Sequence, residues 1–315
     1  MPKITDRIDR ITLLTDEYRS PVPPIPKSVK IELTARCDFK CFFCASHMRL
    51  RDKSDMSWPF FSRIVKEMRD AGVEELGVFY LGESFLVPWL PDAIRYAKQE
   101  CGYPYVFLTT NGRMAEAERI RACMNAGLDS LKFSFNFADA DQFSEVTGVK
   151  SKDYRRIVQH IKDAHKVREE VRERTGHQCG LFASSILYDG EQQERMQAAV
   201  EEILPYVDEH YYLPLYGQAG LTSGAKGTRA TAGNQGRIGA LRKPAALLVA
   251  FHGRPHHLRR SAVGLLLRPR RPLQHGRPQH ELVPRGLAQR ELPGAAARES
   301  CRGRDRHRVR EMHRL

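Results

Sequence analysis

The 315-residue chain has no apolar run approaching the ~20 residues that a membrane span requires. Its first stretch, MPKITDRIDRITLLTDEY, places charges where a secretion signal needs an apolar segment. Membrane anchoring and secretion are therefore not expected, and the expected location is the cytoplasm. Cysteine is sparse: there are seven, an odd number that argues against a closed disulfide framework. Three of the seven fall between positions 37 and 44, a clustering that reads as metal binding.

Lysine and aromatic residues run out together toward the carboxyl end. From Pro244 to Leu315 there are 16 arginines, no lysine and 5 acidic residues, a net of +11. Of the 27 Phe, Trp and Tyr residues, only Phe251 lies beyond position 243. The whole chain carries +13, so residues 1–243 hold only +2. A segment with one aromatic and no periodic apolar face cannot offset chain entropy by burial, which predicts low order for 244–315. One reading of its charge is a basic arm whose Arg302, Arg304, Arg306, Arg308 and Arg310 meet nucleic-acid phosphates. An arm selected only for charge has no reason to exclude lysine, and nucleic acid is not the expected partner.

Residues 1–243 hold the core-forming text. Strand-like runs are Val29–Thr34, Leu76–Leu81, Tyr105–Thr110, Leu131–Phe137, Gly180–Leu187 and His210–Tyr216. Between them, apolar spacing near 3.6 predicts helices over Trp58–Ala71, Pro91–Gln99, Ala115–Ala126, Lys152–Arg174 and Gln192–Leu204. Ser57 and Ser151 are candidate N-caps, and Gly72, Gly127 and Gly176 fall where helices would end. The mixed charges of Lys152–Arg174 read as a solvated helix face. Strand alternating with helix implies parallel strands and right-handed crossovers, hence an α/β chain. A partial (β/α)6 barrel and an open doubly wound sheet are the two choices, and both put chemistry in the loops after the strand carboxyl ends. The expected division is an amino-terminal extension over 1–28, a core over 29–218, a linker over 219–243 and the tail over 244–315.

After the first strand comes Ala35-Arg36-Cys37-Asp38-Phe39-Lys40-Cys41-Phe42-Phe43-Cys44, a C-x3-C-x2-C loop. Three thiolates in one loop can hold three corners of an iron–sulfur cube and leave the fourth iron to a non-protein ligand. Cys37, Cys41 and Cys44 with His47 would also satisfy a tetrahedral zinc ion, and an ordinary loop with three buried thiols is the remaining alternative.

This spacing, placed after strand one of an α/β chain, resembles the radical S-adenosylmethionine (SAM) superfamily. The resemblance implies a [4Fe–4S] cluster on Cys37, Cys41 and Cys44, with S-adenosylmethionine chelated to the open iron. It implies reductive cleavage to methionine and a 5′-deoxyadenosyl radical that abstracts hydrogen from a peptide or small-metabolite substrate. A flavodoxin- or ferredoxin-like electron donor is implied as well. Phe43 matches the aromatic position that packs near the adenine. Leu81-Gly82-Glu83-Ser84 resembles the Gly-Gly-Glu segment that contacts the methionine amino group, with Leu81 in place of the first glycine. Glu83 has an alternative reading as a helix-start carboxylate. Ser134 and Asn136 match a Ser-x-Asp-like segment lining the ribose and substrate space, with Asn136 where Asp is common; both are expected to point into the barrel interior. Ser185 is a further polar candidate. Thr109-Thr110-Asn111-Gly112 reads as a turn, and Cys101, Cys123 and Cys179 as structural thiols.

The tail admits a third reading. Text rich in Arg, Pro and Ala but free of Lys is what a GC-rich gene yields out of frame. Met312 is encoded only by ATG and a His313 codon begins CA, so a one-nucleotide shift there produces TGC, a cysteine codon. Val309-Arg310-Glu311-Met312 then permits Cys-Glu-Lys-Cys. Such cysteine-rich text resembles the SPASM-type auxiliary-cluster region that follows the core in one radical-enzyme subfamily, and implies a shift near Pro244. Two other readings compete: a zinc-stabilised α/β nucleic-acid-binding protein with a basic tail, and a non-catalytic remnant that still binds a cluster.

Overall fold

The structure is a computed structural model in which residues 3–12, 15–48, 52–188 and 190–215 are described. The linker and tail, with the arginine-arm and out-of-frame readings, lie outside the described residues, as does the side chain of His47.

Helix α1 (Ile4–Thr12) precedes six strands: β1 (Ser28–Lys30), β2 (Glu75–Gly77), β3 (Tyr105–Thr110), β4 (Ser130–Ser134), β5 (Gly180–Ile186) and β6 (Glu209–Leu213). All five pairings are parallel, and the spatial order β1-β2-β3-β4-β5-β6 repeats the chain order. The crossovers carry α2 (Trp58–Asp70), α3 (Leu90–Arg95), α4 (Ala117–Asn125), the pair α5 (Ala140–Thr147) and α6 (Asp153–Thr175), and α7 (Gly190–Ile203). A doubly wound sheet reverses its order at a switch point, and this one does not. Right-handed crossovers in unbroken order place every helix on one face. The other face is therefore the concave interior of a partial (β/α)6 barrel, left open between the edges β1 and β6.

The hydrophobic effect sets the layers. Leu76, Val106, Leu108, Leu131, Phe133, Leu181 and Ala183 on the strands are buried in one core with Ile94, Ile120, Ile157, Ile161 and Val200 on the helices. β3 alternates strictly, with Val106, Leu108 and Thr110 buried and Tyr105, Phe107 and Thr109 half-buried. Among the described residues no helix is long and apolar enough to cross a membrane.

Several boundaries differ from the sequence reading. β1 and β2 are three residues each, because after Ile31, whose N–H still donates to Gly77 O at 2.7 Å, the chain leaves the parallel ladder: Met56 N–H donates to Leu33 O at 2.7 Å and Ala35 N–H to Ser54 O at 3.0 Å. Within the stretch expected as an amino-terminal extension, α1 packs against the sheet. Thr5 donates to Glu209 on β6, while Arg7 pairs with Glu75 on β2 and lies over the Tyr105 ring, 3.4 Å from its centroid. Ser57 precedes α2 without a side-chain cap bond, and Lys152 rather than Ser151 stands at the N-cap of α6. α5 has no counterpart in the expected helices; Asp139 caps it through Asp141 N–H and Gln142 N–H.

Candidate active site

The cysteine loop leaves β1 and is strapped down before its thiols are set. Lys40 N–H donates to Thr147 O at 2.8 Å and Phe42 N–H to Val146 O at 3.2 Å, tying the loop to the end of α5. Phe39 is buried edge-on against Phe143, with centroids 5.5 Å apart. The anchoring leaves Cys37, Cys41 and Cys44 half-buried, all three as free thiols. They feel one another electrostatically. Burial pushes the Cys37 thiol up to about 12, assisted by Glu83, Asp38 and Cys44. Burial also raises Cys41, with Cys44 and Cys37 adding to the shift. Two sulfurs have donors at hand: Ser46 N–H reaches Cys44 Sγ at 3.4 Å and Asn111 Nδ2 lies 3.9 Å from Cys37 Sγ.

Three soft sulfur donors on one loop, partly buried and with hydrogen-bond donors nearby, are the ligand set of an iron–sulfur cube. Among the described residues no three His, Cys, Asp or Glu side chains are gathered as ligands of a single ion. A cube seats each thiolate on its own iron and asks for no such convergence, so the three-thiol loop fits that group.

The turn after β2 lies flush against the entry of this loop. Glu83 N–H donates to Arg36 O at 2.9 Å. A Cβ on Gly82 would collide with Thr34 O and stand 2.9 Å from Arg36 O, so only glycine permits this approach. Leu81 N–H and Gly82 N–H both donate to Glu32 Oε1 at 3.0 Å. Because Leu81 contributes its backbone, its departure from glycine leaves this contact intact.

Glu83 is 3% exposed, and burial lifts its carboxyl to about 7 against the pull of its donors. Its Oε1 accepts from Phe85 N–H at 3.0 Å and Thr110 Oγ1 at 2.9 Å, and its Oε2 from Asn111 N–H at 2.8 Å. The carboxylate caps the turn at Ser84–Leu86 and ties the end of β2 to that of β3.

The segment Thr109–Gly112 is the turn expected, with Arg113 N–H on Asn111 Oδ1 at 2.9 Å and Gly112 at φ +84°. It also does what sequence reasoning missed. Asn111 Nδ2 donates to Asp38 Oδ1 at 2.7 Å, and Arg113 bridges Asp38 and Asp153 at 3.5 and 3.0 Å, so the middle of the cysteine loop is joined to the end of β3 and the start of α6.

The other predicted positions are more dispersed. Phe43 is half-buried and packs edge-on against Phe42, centroids 5.2 Å apart. Ser134 closes β4 opposite Ser184 and alternates in phase with Lys132. Asn136 lies beyond β4, and its Oδ1 accepts from Ile186 N–H at 3.0 Å while its carbonyl accepts from Tyr188 OH at 2.8 Å. It therefore ties β4 to β5. Ser185 is buried and donates to Phe135 O. Cys123 and Cys179 are buried thiols as expected, and Cys101 is only half-buried.

Comparison with known proteins bears on the same segment. Residues 31–180 match the family model described as the radical SAM superfamily. The chain is 27% identical over 135 residues to a GTP 3′,8-cyclase of Chlorobaculum tepidum, covering 43% of this chain and 39% of that protein. It is 34% identical over 157 residues to a probable GTP 3′,8-cyclase of Thermoplasma volcanium, covering 49% and 44%. It is 29% identical over 131 residues to a PqqA peptide cyclase of Streptomyces rochei, covering 41% and 35%. The chain thus spans well under half the length of these curated relatives. The crystal structure of Streptococcus suis SuiB bound to S-adenosylmethionine shares the fold, with a TM-score of 0.52, 16% identity, and 72% of this chain and 46% of that one covered.

Proposed function

We propose, on the premise that residues 31–180 belong to the radical SAM superfamily, whose cofactors are a [4Fe–4S] cluster and S-adenosylmethionine, that this chain is the core of a radical enzyme. When bound, that pair supplies a 5′-deoxyadenosyl radical able to take hydrogen from an unactivated carbon. The protein's part is anchoring, orientation and exclusion of water. Cys37, Cys41 and Cys44 would hold the cluster. The observation that carries the reading is the Glu83 N–H···O Arg36 bond, which sets the three-thiol loop against the backbone of Gly82 and Glu83 at adjoining strand ends. A ligand held by the loop would meet that backbone, with Phe43 as an apolar wall for an adenine and the Ser134 hydroxyl available to a ribose. Glu83 and Asn136 act one step removed, as positioning residues that fix the strand ends.

The substrate is a peptide or a small metabolite, and the names of the relatives, a nucleotide cyclase and a peptide cyclase, are compatible with both. A flavodoxin- or ferredoxin-like protein supplies the electron, and the site of action is the cytoplasm. The chain is placed in the SPASM-type subfamily, with residues 244–315 as the out-of-frame text of its auxiliary-cluster region. Independent DNA sequencing across codon 244 should reveal a one-nucleotide discrepancy that restores cysteine codons; an intact frame refutes this part.

The core reading is tested by spectroscopy. After anaerobic loading with iron and sulfide and reduction with dithionite, the chain should show the electron paramagnetic resonance signal of a [4Fe–4S]⁺ cluster. Adding S-adenosylmethionine should change its g-values. A cluster whose signal is untouched by S-adenosylmethionine contradicts the proposal.

A further inference from the structure

The barrel interior contains two lysines that the cofactor chemistry does not use. A cavity of about 280 Å³ lies between α1 and the concave face of the sheet, and Lys30 on β1 and Lys132 on β4 both line it. Lys30 is exposed and Lys132 half-buried. Lys30 Nζ stands 5.3 Å from the Phe79 ring centroid and has no hydrogen-bond or ion-pair partner among the described residues. Lys132 Nζ donates to Tyr211 OH at 3.3 Å, also without a carboxylate. Glu75 and Arg7 also line the cavity and pair with each other, while Glu209 accepts from Thr5 and Glu32 from Leu81 N–H and Gly82 N–H.

With the one carboxylate of the lining, Glu75, already paired to Arg7, the two lysines have no counter-ion left in the cavity, and each disfavours the charged form of the other. The effect is visible on both amines. Enclosure holds Lys132 at about 8, and enclosure together with the charge of Lys132 depresses Lys30. A wall needing only packing would be more stable with apolar residues beside Phe79 and Phe107. An anionic ligand removes the penalty by neutralising both charges at once.

We propose that the barrel interior is an anion site in which Lys30 and Lys132 jointly bind the phosphate or carboxylate oxygens of the substrate, with the rings of Phe79, Phe107 and Tyr211 against its apolar part. That the bound anion is the substrate rests on the proposed radical chemistry; that the site binds anions does not.

The test uses the full-length chain with neither cluster nor S-adenosylmethionine, and pyridoxal 5′-phosphate as probe. An unprotonated lysine condenses with the aldehyde, releasing water and leaving an imine. Borohydride delivers hydride to the imine carbon and fixes a secondary amine, which peptide mass mapping locates. At pH 7.5 an amine near 8 offers on the order of a hundredfold more free base than an ordinary lysine, so Lys132, with Lys30, should label before surface lysines. Pyrophosphate or succinate should slow that labelling roughly tenfold at occupancies near ~90%. Whichever anion protects at lower concentration identifies phosphate or carboxylate as the group bound. Lys132→Arg keeps the charge but forms no imine, so Lys30 should still label and still be protected; Lys132→Met should lose the protection, with circular dichroism verifying both folds. Label spread evenly over surface lysines, or label at Lys30 and Lys132 that neither anion slows, overturns the proposal. Because no cofactor is present, either result leaves the radical reading standing or falling on its own spectroscopic test.

Discussion

Replacing any one of Cys37, Cys41 or Cys44 with alanine should reduce cleavage of S-adenosylmethionine to background, a loss of more than about a hundredfold, beyond what loss of an outer-shell partner causes. Each thiolate would hold a separate iron, so the two that remain cannot replace the third. The nearest oxygen ligand in the loop, Asp38, is committed to Asn111 at 2.7 Å and Arg113 at 3.5 Å. Iron and sulfide analysis with the visible absorption spectrum checks the cause: each variant should load poorly or carry an incomplete cluster. Cys101→Ala is the control, because Cys101 lies before β3 at the opposite end of the strands from the loop and should leave both iron content and turnover unchanged. A loop variant that retains four irons and full turnover would remove the basis of the site.

The second large effect should come from Gly82→Ala. The added methyl would be driven into Thr34 O, a backbone atom that no rotamer change can move aside, and would stand 2.9 Å from Arg36 O. Relief requires the 81–83 turn to lift from the cysteine loop, stretching the bond from Glu83 N–H to Arg36 O. Overpacking of this kind costs about 1–3 kcal/mol or more, measurable as a lowered Tm. Turnover should fall further than stability, because the displaced backbone is the surface offered to S-adenosylmethionine. Leu81→Gly makes a useful contrast: Leu81 gives only its N–H to Glu32 Oε1, so the change should lower Tm slightly and leave turnover near normal. Gly82→Ala with the Tm and turnover of the parent chain would contradict the close approach.

The sequence made some features legible for identifiable reasons. β3 could be read to the residue because its alternation coincides with its ladder, Tyr105 to Thr110. Residues 31–35 alternate just as well, with Ile31 and Leu33 buried, yet only Ile31 still bonds β2, through Gly77 O, while Leu33 and Ala35 bond Met56 and Ser54. Alternation reports which side is buried and says nothing about the hydrogen-bond partner. Periodicity left the barrel and a doubly wound sheet open; the family resemblance chose the partial barrel, and strand order, a property of the whole fold, bears it out. α5 carried both its signals, Asp139 as a cap and Gly148 at φ +67°, but eight residues give too short a periodic run to register. The three cysteines were legible because the metal-ligand pattern is local. Glu32, Asp38, Thr110 and Asn111 were not, since their partners lie 27 to 73 positions away and meet only when β1, β2 and β3 become neighbours. Glu83 was found by its motif, while its buried, fully bonded carboxylate could be seen only in the fold.

The most direct measurement is 5′-deoxyadenosine itself, quantified by chromatography after the anaerobically loaded full-length chain is given S-adenosylmethionine and dithionite. The account predicts 5′-deoxyadenosine and methionine in equal amounts, absent from the Cys37→Ala, Cys41→Ala and Cys44→Ala variants. A chain that carries a complete [4Fe–4S] cluster, binds S-adenosylmethionine and yields no 5′-deoxyadenosine above those variants would contradict it.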